Sequence, residues 1–149
     1  MSAEGLAKIK VLINALSNFY SKVTIGDYKI LTAGTDRAVI IRETTNDLPY
    51  KDSKAYATLL ETCLYNIEVY HKYVNAEESY SDVIADCDTI TTELIRHKTL
   101  GGLTGIVKSE VLGKDEPMAI FRTDGKGPFF MRRIIKLRTE EIIMLDMVA

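Results

Sequence analysis

Asp82, Asp86, Asp88 and Glu93, carboxylates on one predicted helix, are the residues whose type and spacing come nearest to chemistry. Asp82 and Asp86 stand at i,i+4 and share a face, and oxygen donors so placed suit a hard divalent cation. A solvated acidic face explains the same pattern without a ligand. His71 and His97 stand apart from each other, with no cysteine or carboxylate at metal-ligand spacing in the sequence, so neither announces a metal site. His97 falls where a cation complements the last carbonyls of a helix. The glycine-containing stretches at Gly101-Gly102 and at Gly125 lack the GxGxxG and GxxxxGK[ST] spacings that aim amides at a phosphate, and they read as turns. No serine or cysteine has a base nearby in sequence, so a nucleophilic enzyme would have to assemble one from distant parts. The expectation is a protein without catalytic, cofactor or metal residues.

The elements that would carry these residues are legible from periodicity. Tyr65, Ile67, Val69 and Tyr73 fall on one row of a strand, with Asn66, Glu68, Tyr70 and Lys72 between them facing solvent or a partner. After a polar link, Ser79 and Ser81 are candidate caps of a helix, Asp82 sits three residues beyond Ser79, and Gly101 is placed to close the far end in a left-handed turn. Val83, Ile84, Cys87, Ile90, Leu94 and Ile95 form its apolar stripe.

Leu6, Ile9, Leu12, Ile13, Leu16, Phe19 and Tyr20 predict a first amphipathic helix over about residues 3 to 20. Residues 28–31 and 38–41 read as a hairpin turning through Gly34. From Glu43 to about Ala55 the chain is polar and aperiodic, and loops of that length inside a domain often carry function, so it is read as a contact arm holding Pro49, Lys51, Asp52 and Lys54. Strands follow at 103–112, 118–122 and 129–138, the last separated by a turn holding Lys126. On that last strand Arg132, Lys136 and Arg138 share a row with Phe130 and Ile134, which suits an interface and equally a solvated edge strand. The C-terminal residues Ile142, Ile143, Met144, Leu145, Met147 and Val148 are apolar enough to need the sheet or a neighbour.

Composition sets the frame. A chain of 149 residues, 46% apolar and 27% charged, supports one domain with its own core. The net charge of −2 and the pI near 5.7 exclude affinity built on wrapping nucleic acid. Cys63 and Cys87 fall on apolar positions and read as reduced core thiols, consistent with a cytoplasmic product. No signal-peptide pattern and no apolar run of membrane-spanning length is present, since Lys8, Lys10 and Asn14 interrupt the first helix.

The order helix, hairpin, long strand, helix, then strands, with Ala38-Val39-Ile40-Ile41 before the polar loop, Tyr65-Asn66-Ile67-Glu68-Val69-Tyr70, and a helix ending His97-Lys98-Thr99-Leu100-Gly101-Gly102, resembles the tail-terminator proteins of long-tailed bacteriophages and the related neck and minor tail proteins. The likeness spans most of residues 1–138 and lies in element order and short blocks. It implies a single α+β domain over residues 1–149, with a mixed or antiparallel sheet flanked by two main helices. It further implies a virion protein assembled in the host cytoplasm into a six-membered ring at the head-proximal end of the tail tube. That ring stops tube growth and joins the head connector or head-completion protein, and DNA only passes through its lumen. Under this reading no cofactor and no membrane are involved, and the candidate interface residues are the basic set Arg132, Lys136 and Arg138, the acidic set Asp82, Asp86 and Glu93, and the loop residues Pro49, Lys51, Asp52, Lys54 and Lys126. Other readings are a small cytoplasmic enzyme or ligand-binding domain, which a pocket containing His71 or Cys63 beside carboxylates would favour, and a non-viral adaptor that binds a partner by adding to the edge of the 129–138 strand.

Overall fold

The computed structural model describes residues 2–32, 34–47, 58–98, 100, 106–121 and 128–144. Pro49, Lys51, Asp52, Lys54, Gly101, Lys126 and the tail beyond Met144 lie outside the described residues. Among the described residues the fold is α+β, with two helices and a mixed six-stranded sheet. In chain order the elements are α1 (Ser2–Asn14), β1 (Val23–Ile25), β2 (Arg37–Asp47), β3 (Thr58–Lys72), α2 (Ala76–Arg96), β4 (Ile106–Lys114), β5 (Met118–Phe121) and β6 (Pro128–Met144). Among the described residues no helix is long and apolar enough to cross a membrane.

The sheet runs β1-β2-β3-β6-β4, with β5 on β6. β4 meets β6 at residues 135–141 and β5 meets it at 128–132, so the two strands form one interrupted edge. Asp115 spans the interruption: its amide bonds the Ile134 carbonyl and its carboxylate accepts from the Ile134 amide at 2.6 Å. β6 is therefore bonded along both sides over residues 130–141, and the solvated-edge and edge-addition readings of 129–138 fail. β6 also continues to Met144 against Thr58, which ties the start of the apolar C-terminal segment into the sheet.

Both helices pack on one face of this sheet. Val83, Cys87, Ile90 and Leu94 meet Tyr65, Ile67, Ile135 and Leu137 in a common core, and Ile9, Ile13 and Phe19 close it at the β1-β2 end. Cys63 and Cys87 are buried and form no disulfide, and burial pushes the Cys87 thiol up to about 12. Gly5 allows α1 its close approach, because a Cβ there would overlap the Tyr65 hydroxyl.

Several local expectations change. Residues 28–30 form a 3-10 turn, capped by the Asp27 carboxylate on the Lys29 amide, so the 28–31 strand and its hairpin do not form. β1 takes the place beside β2, in parallel. α1 ends at Asn14, whose side chain accepts from the Ser21 amide at 2.7 Å, and Phe19 reaches the core from a separate 3-10 turn while Tyr20 is exposed. The α2 cap is Asn75, which accepts from the Glu78 amide and donates back to the Glu78 carboxylate. Ser79 is buried inside the first turns, where its hydroxyl accepts from the Val74 amide. At the far end Leu100, fully buried, holds the left-handed φ of 52° beside the helix terminus. β2 extends through Asp47, so the first part of the predicted loop, from Glu43, is strand.

Candidate functional site

The two faces of the sheet carry different chemistry. β3 and β6 alternate, so Ile67, Ile135 and Leu137 point to the helices, while Asn66, Glu68, Tyr70, Arg132, Lys136 and Arg138 take the opposite face. That second face is only partly solvated. Ala38, Ile40, Tyr70 and Phe130 build a small core there, covered by Ile30 and Leu31 from the 3-10 turn. Glu68 is 2% exposed and accepts from the Tyr70 hydroxyl at 2.7 Å, the Tyr28 hydroxyl at 2.9 Å and Arg42 Nε at 2.7 Å. The row expected to face solvent or a partner thus holds a buried, satisfied carboxylate, and burial beside it raises the Tyr70 phenol above its ordinary range.

Beyond this cluster the face opens toward Lys136 and Arg138. Lys136 is exposed and makes no ion pair among the described residues, while Arg138 Nη2 lies 3.1 Å from Glu110. Arg132 is half-buried, with Nη2 3.8 Å from Met118 Sδ and its buried Nε unbonded among the described residues. It packs against β5 and is not part of a free surface.

The acidic set divides. Asp82 keeps 41% side-chain exposure, 3.8 Å from His71 Nε2. Glu93 is tied to His97 Nε2 at 2.9 Å and is mostly covered. Asp86 is buried, with Oδ2 3.6 Å from Arg37 Nε, so it is not part of a solvated acidic face. Arg37 in turn lies over the Phe19 ring, 5.6 Å from its centroid. Each histidine therefore has a carboxylate neighbour that sequence spacing did not show for His71, because Asp82 reaches it from another element. The exposed acids of α2 are Glu77, Glu78, Asp82 and Asp88, on the helix side of the molecule.

Burial raises the Asp86 carboxyl above its usual range, and Arg37 offsets only part of this. A raised folded-state value means that the protonated form is the better guest: the contribution to stability is full below the ordinary carboxyl range and is lost as pH rises through the folded value. Asp86→Asn, a mimic of the protonated form, should therefore unfold at a higher temperature than the parent at neutral pH. The advantage should vanish below about pH 4, where the parent is itself protonated. Thermal unfolding followed by circular dichroism across that range checks this, and a variant less stable at neutral pH would show that the Arg37 pairing outweighs burial.

Two apolar grooves lie at opposite edges of the sheet. One, about 580 Å³, runs between the end of α2 and β4 along Leu94, Ile95, Lys98 and Val111. The other, about 700 Å³, follows Val11, Ala15 and Tyr20 at the α1 end. The first is also lined by Lys108, Ser109 and Glu110, but the Ser109 hydroxyl donates to the His97 carbonyl at 3.3 Å and Glu110 pairs with Lys108 and Arg138, so among the described residues no base is hydrogen-bonded to a nucleophile there. No family model matches the chain, and no curated protein matches it either.

Proposed function

We propose that this chain is the subunit of a head-to-tail ring, of the kind formed by the phage tail-terminator proteins that its element order resembles. One observation carries the reading: basic residues and exposed acids sit on opposite layers. Lys136 and Arg138 stand on the sheet face away from the helices, and Glu77, Glu78, Asp82 and Asp88 stand on α2. One copy cannot join these surfaces to each other, but successive copies related by rotation can, and such unlike patches close into a ring. Asp86 and Glu93 leave the proposed contact, because both side chains are mostly covered within the subunit, whereas Asp82 and Asp88 stay open to solvent beside their own partners His71 and Lys114. The ring is taken to be a hexamer at the head-proximal end of the tail tube, stopping tube growth and joining the head connector or head-completion protein in the virion. DNA passes through its lumen, and the mildly acidic charge of −2 keeps phosphate contacts few. The role is structural and needs no catalysis.

Imaging particles by negative stain after disabling the gene in the phage to which this reading assigns it tests the proposal. Filled heads beside detached, overlong tails support a terminator. Normal tails beside leaking heads move the ring to head closure, and intact virions overturn the reading. A second test uses the purified chain. Reversing Lys136 and Arg138 together to glutamate should change subunit stability by no more than about 1 kcal/mol, as exposed charges do. It should abolish ring assembly in native mass spectrometry, and assembly unchanged from the parent would remove these residues from the contact.

A further inference from the structure

The end of the sheet beneath α1 holds polar side chains that the ring does not use. Glu61 and Glu141 are directly opposed between β3 and β6, and Cys63 stands two residues along the same face. All are buried, at 7%, 2% and 0% exposure respectively. One oxygen from each carboxylate and the Cys63 sulfur lie within 4.8 Å of one another. Cys63 Sγ donates to Glu61 Oε1 at 2.9 Å. Glu141 is fixed from one side, since its Oε2 accepts from the Tyr65 hydroxyl at 3.0 Å and from Thr139 Oγ1 at 2.8 Å. Its other oxygen accepts no hydrogen bond among the described residues and faces Gly5, 3.4 Å from where a Cβ would sit.

We propose that Glu61, Cys63 and Glu141 form a binding site for a divalent cation of the zinc class. The two carboxylates and the thiol converge from one face of the sheet, so a single cation can reach all three donors and offset the repulsion between like charges held side by side. The donor set selects the ion. Calcium and magnesium prefer oxygen alone and soft copper(I) prefers sulfur, whereas zinc accepts thiolate and carboxylate together. Bond lengths of about 2.3 Å to sulfur and about 2.0 to 2.2 Å to oxygen put tetrahedral donors roughly 3.3 to 3.7 Å apart, so the Cys63–Glu61 pair at 2.9 Å would open slightly while the wider separations, within 4.8 Å, would draw in. On binding, the Cys63 S–H bond gives its proton to solvent and the sulfur lone pair goes to the metal. Tyr65 and Thr139 are positioning residues that orient Glu141 from behind. The ion would clamp β3 to β6 and leave one coordination position for water. The site is independent of the ring reading.

Dialysis of the metal-stripped full chain against Zn²⁺, and titration with Co²⁺ as a spectroscopic probe, test the site. The expected result is one equivalent bound, with a near-ultraviolet thiolate-to-cobalt absorption that disappears in Cys63→Ser and persists in Cys87→Ser, whose sulfur lies elsewhere in the core. Tyr65→Phe should weaken binding by about 10- to 100-fold, the usual effect of losing an outer hydrogen bond to a ligand. Glu141→Gln, which can still accept from Tyr65 and Thr139, is the second variant should Cys63→Ser not fold, and it should lose binding likewise. Absence of stoichiometric metal, or a cobalt band that survives Cys63→Ser, overturns the proposal.

Discussion

Replacing Ile90 with alanine should lower the unfolding free energy by about 2 to 5 kcal/mol, the range for deleting a large aliphatic group from a packed core. Ile90 is fully buried in the middle of α2, in the same core as Cys87 and Leu94 on the helix and Ile67 and Ile135 on the strands. The surrounding site has little freedom to collapse. Its floor is β3 against β6, paired continuously from Lys72↔Phe130 to Thr58↔Met144, and shifting one strand toward the void would break that ladder. Urea denaturation followed by far-ultraviolet circular dichroism should show a lower midpoint with an unchanged slope. Thr89→Ala, on the exposed side of the same helix, should stay within about 0.5 kcal/mol of the parent and serves as the control. If Ile90→Ala cost no more than that control, the packing of α2 on the sheet would be wrong.

Glu68→Ala should cost on the order of 3 kcal/mol, although it removes a charged residue from a strand row that alternation alone assigns to solvent. The loss comes from what is left behind. The Tyr70 hydroxyl is nearly buried and donates to Glu68, so truncation strands it without water. Tyr28 and Arg42 lose the same acceptor, but both are partly exposed and can turn to solvent. Tyr28→Phe should therefore cost only about 1 kcal/mol, and the difference between the variants isolates the buried part of the network. Chemical denaturation of the variants and the parent measures it. Equal, small losses would show that the carboxylate is hydrated rather than enclosed.

How much of the molecule the sequence carried depends on the range of the interaction involved. The α2 stripe of Val83, Cys87, Ile90 and Leu94, and the β3 row of Tyr65, Ile67 and Val69, were legible because a repeating pattern of apolar residues reports which side of an element meets a core. Both cysteines followed from the same rule. The α2 cap is equally local but lies ahead of Ser79 and Ser81: Asn75 accepts from the Glu78 amide and donates to the Glu78 carboxylate, a pairing three residues apart. Tyr28 to Ile30 has strand-like composition, but Asp27 offers its amide an alternative partner, and β1 takes the place beside β2.

The candidate sites were the least legible part. Asp86 looks like a surface acid until β2 brings Arg37 beside it, and Glu68 looks solvated until a 3-10 turn covers it. Glu61, Cys63 and Glu141 carry no spacing signal, because only the β3-β6 register sets residues so distant in the chain opposite each other. The sequence by itself determined the amphipathic elements and the buried thiols, since these follow from local period and composition, while the α+β class entered as what the resemblance implies. Tertiary structure alone decided strand order, which strand lies inside the sheet, and which charges are buried together, because those depend on pairings between segments far apart in the chain.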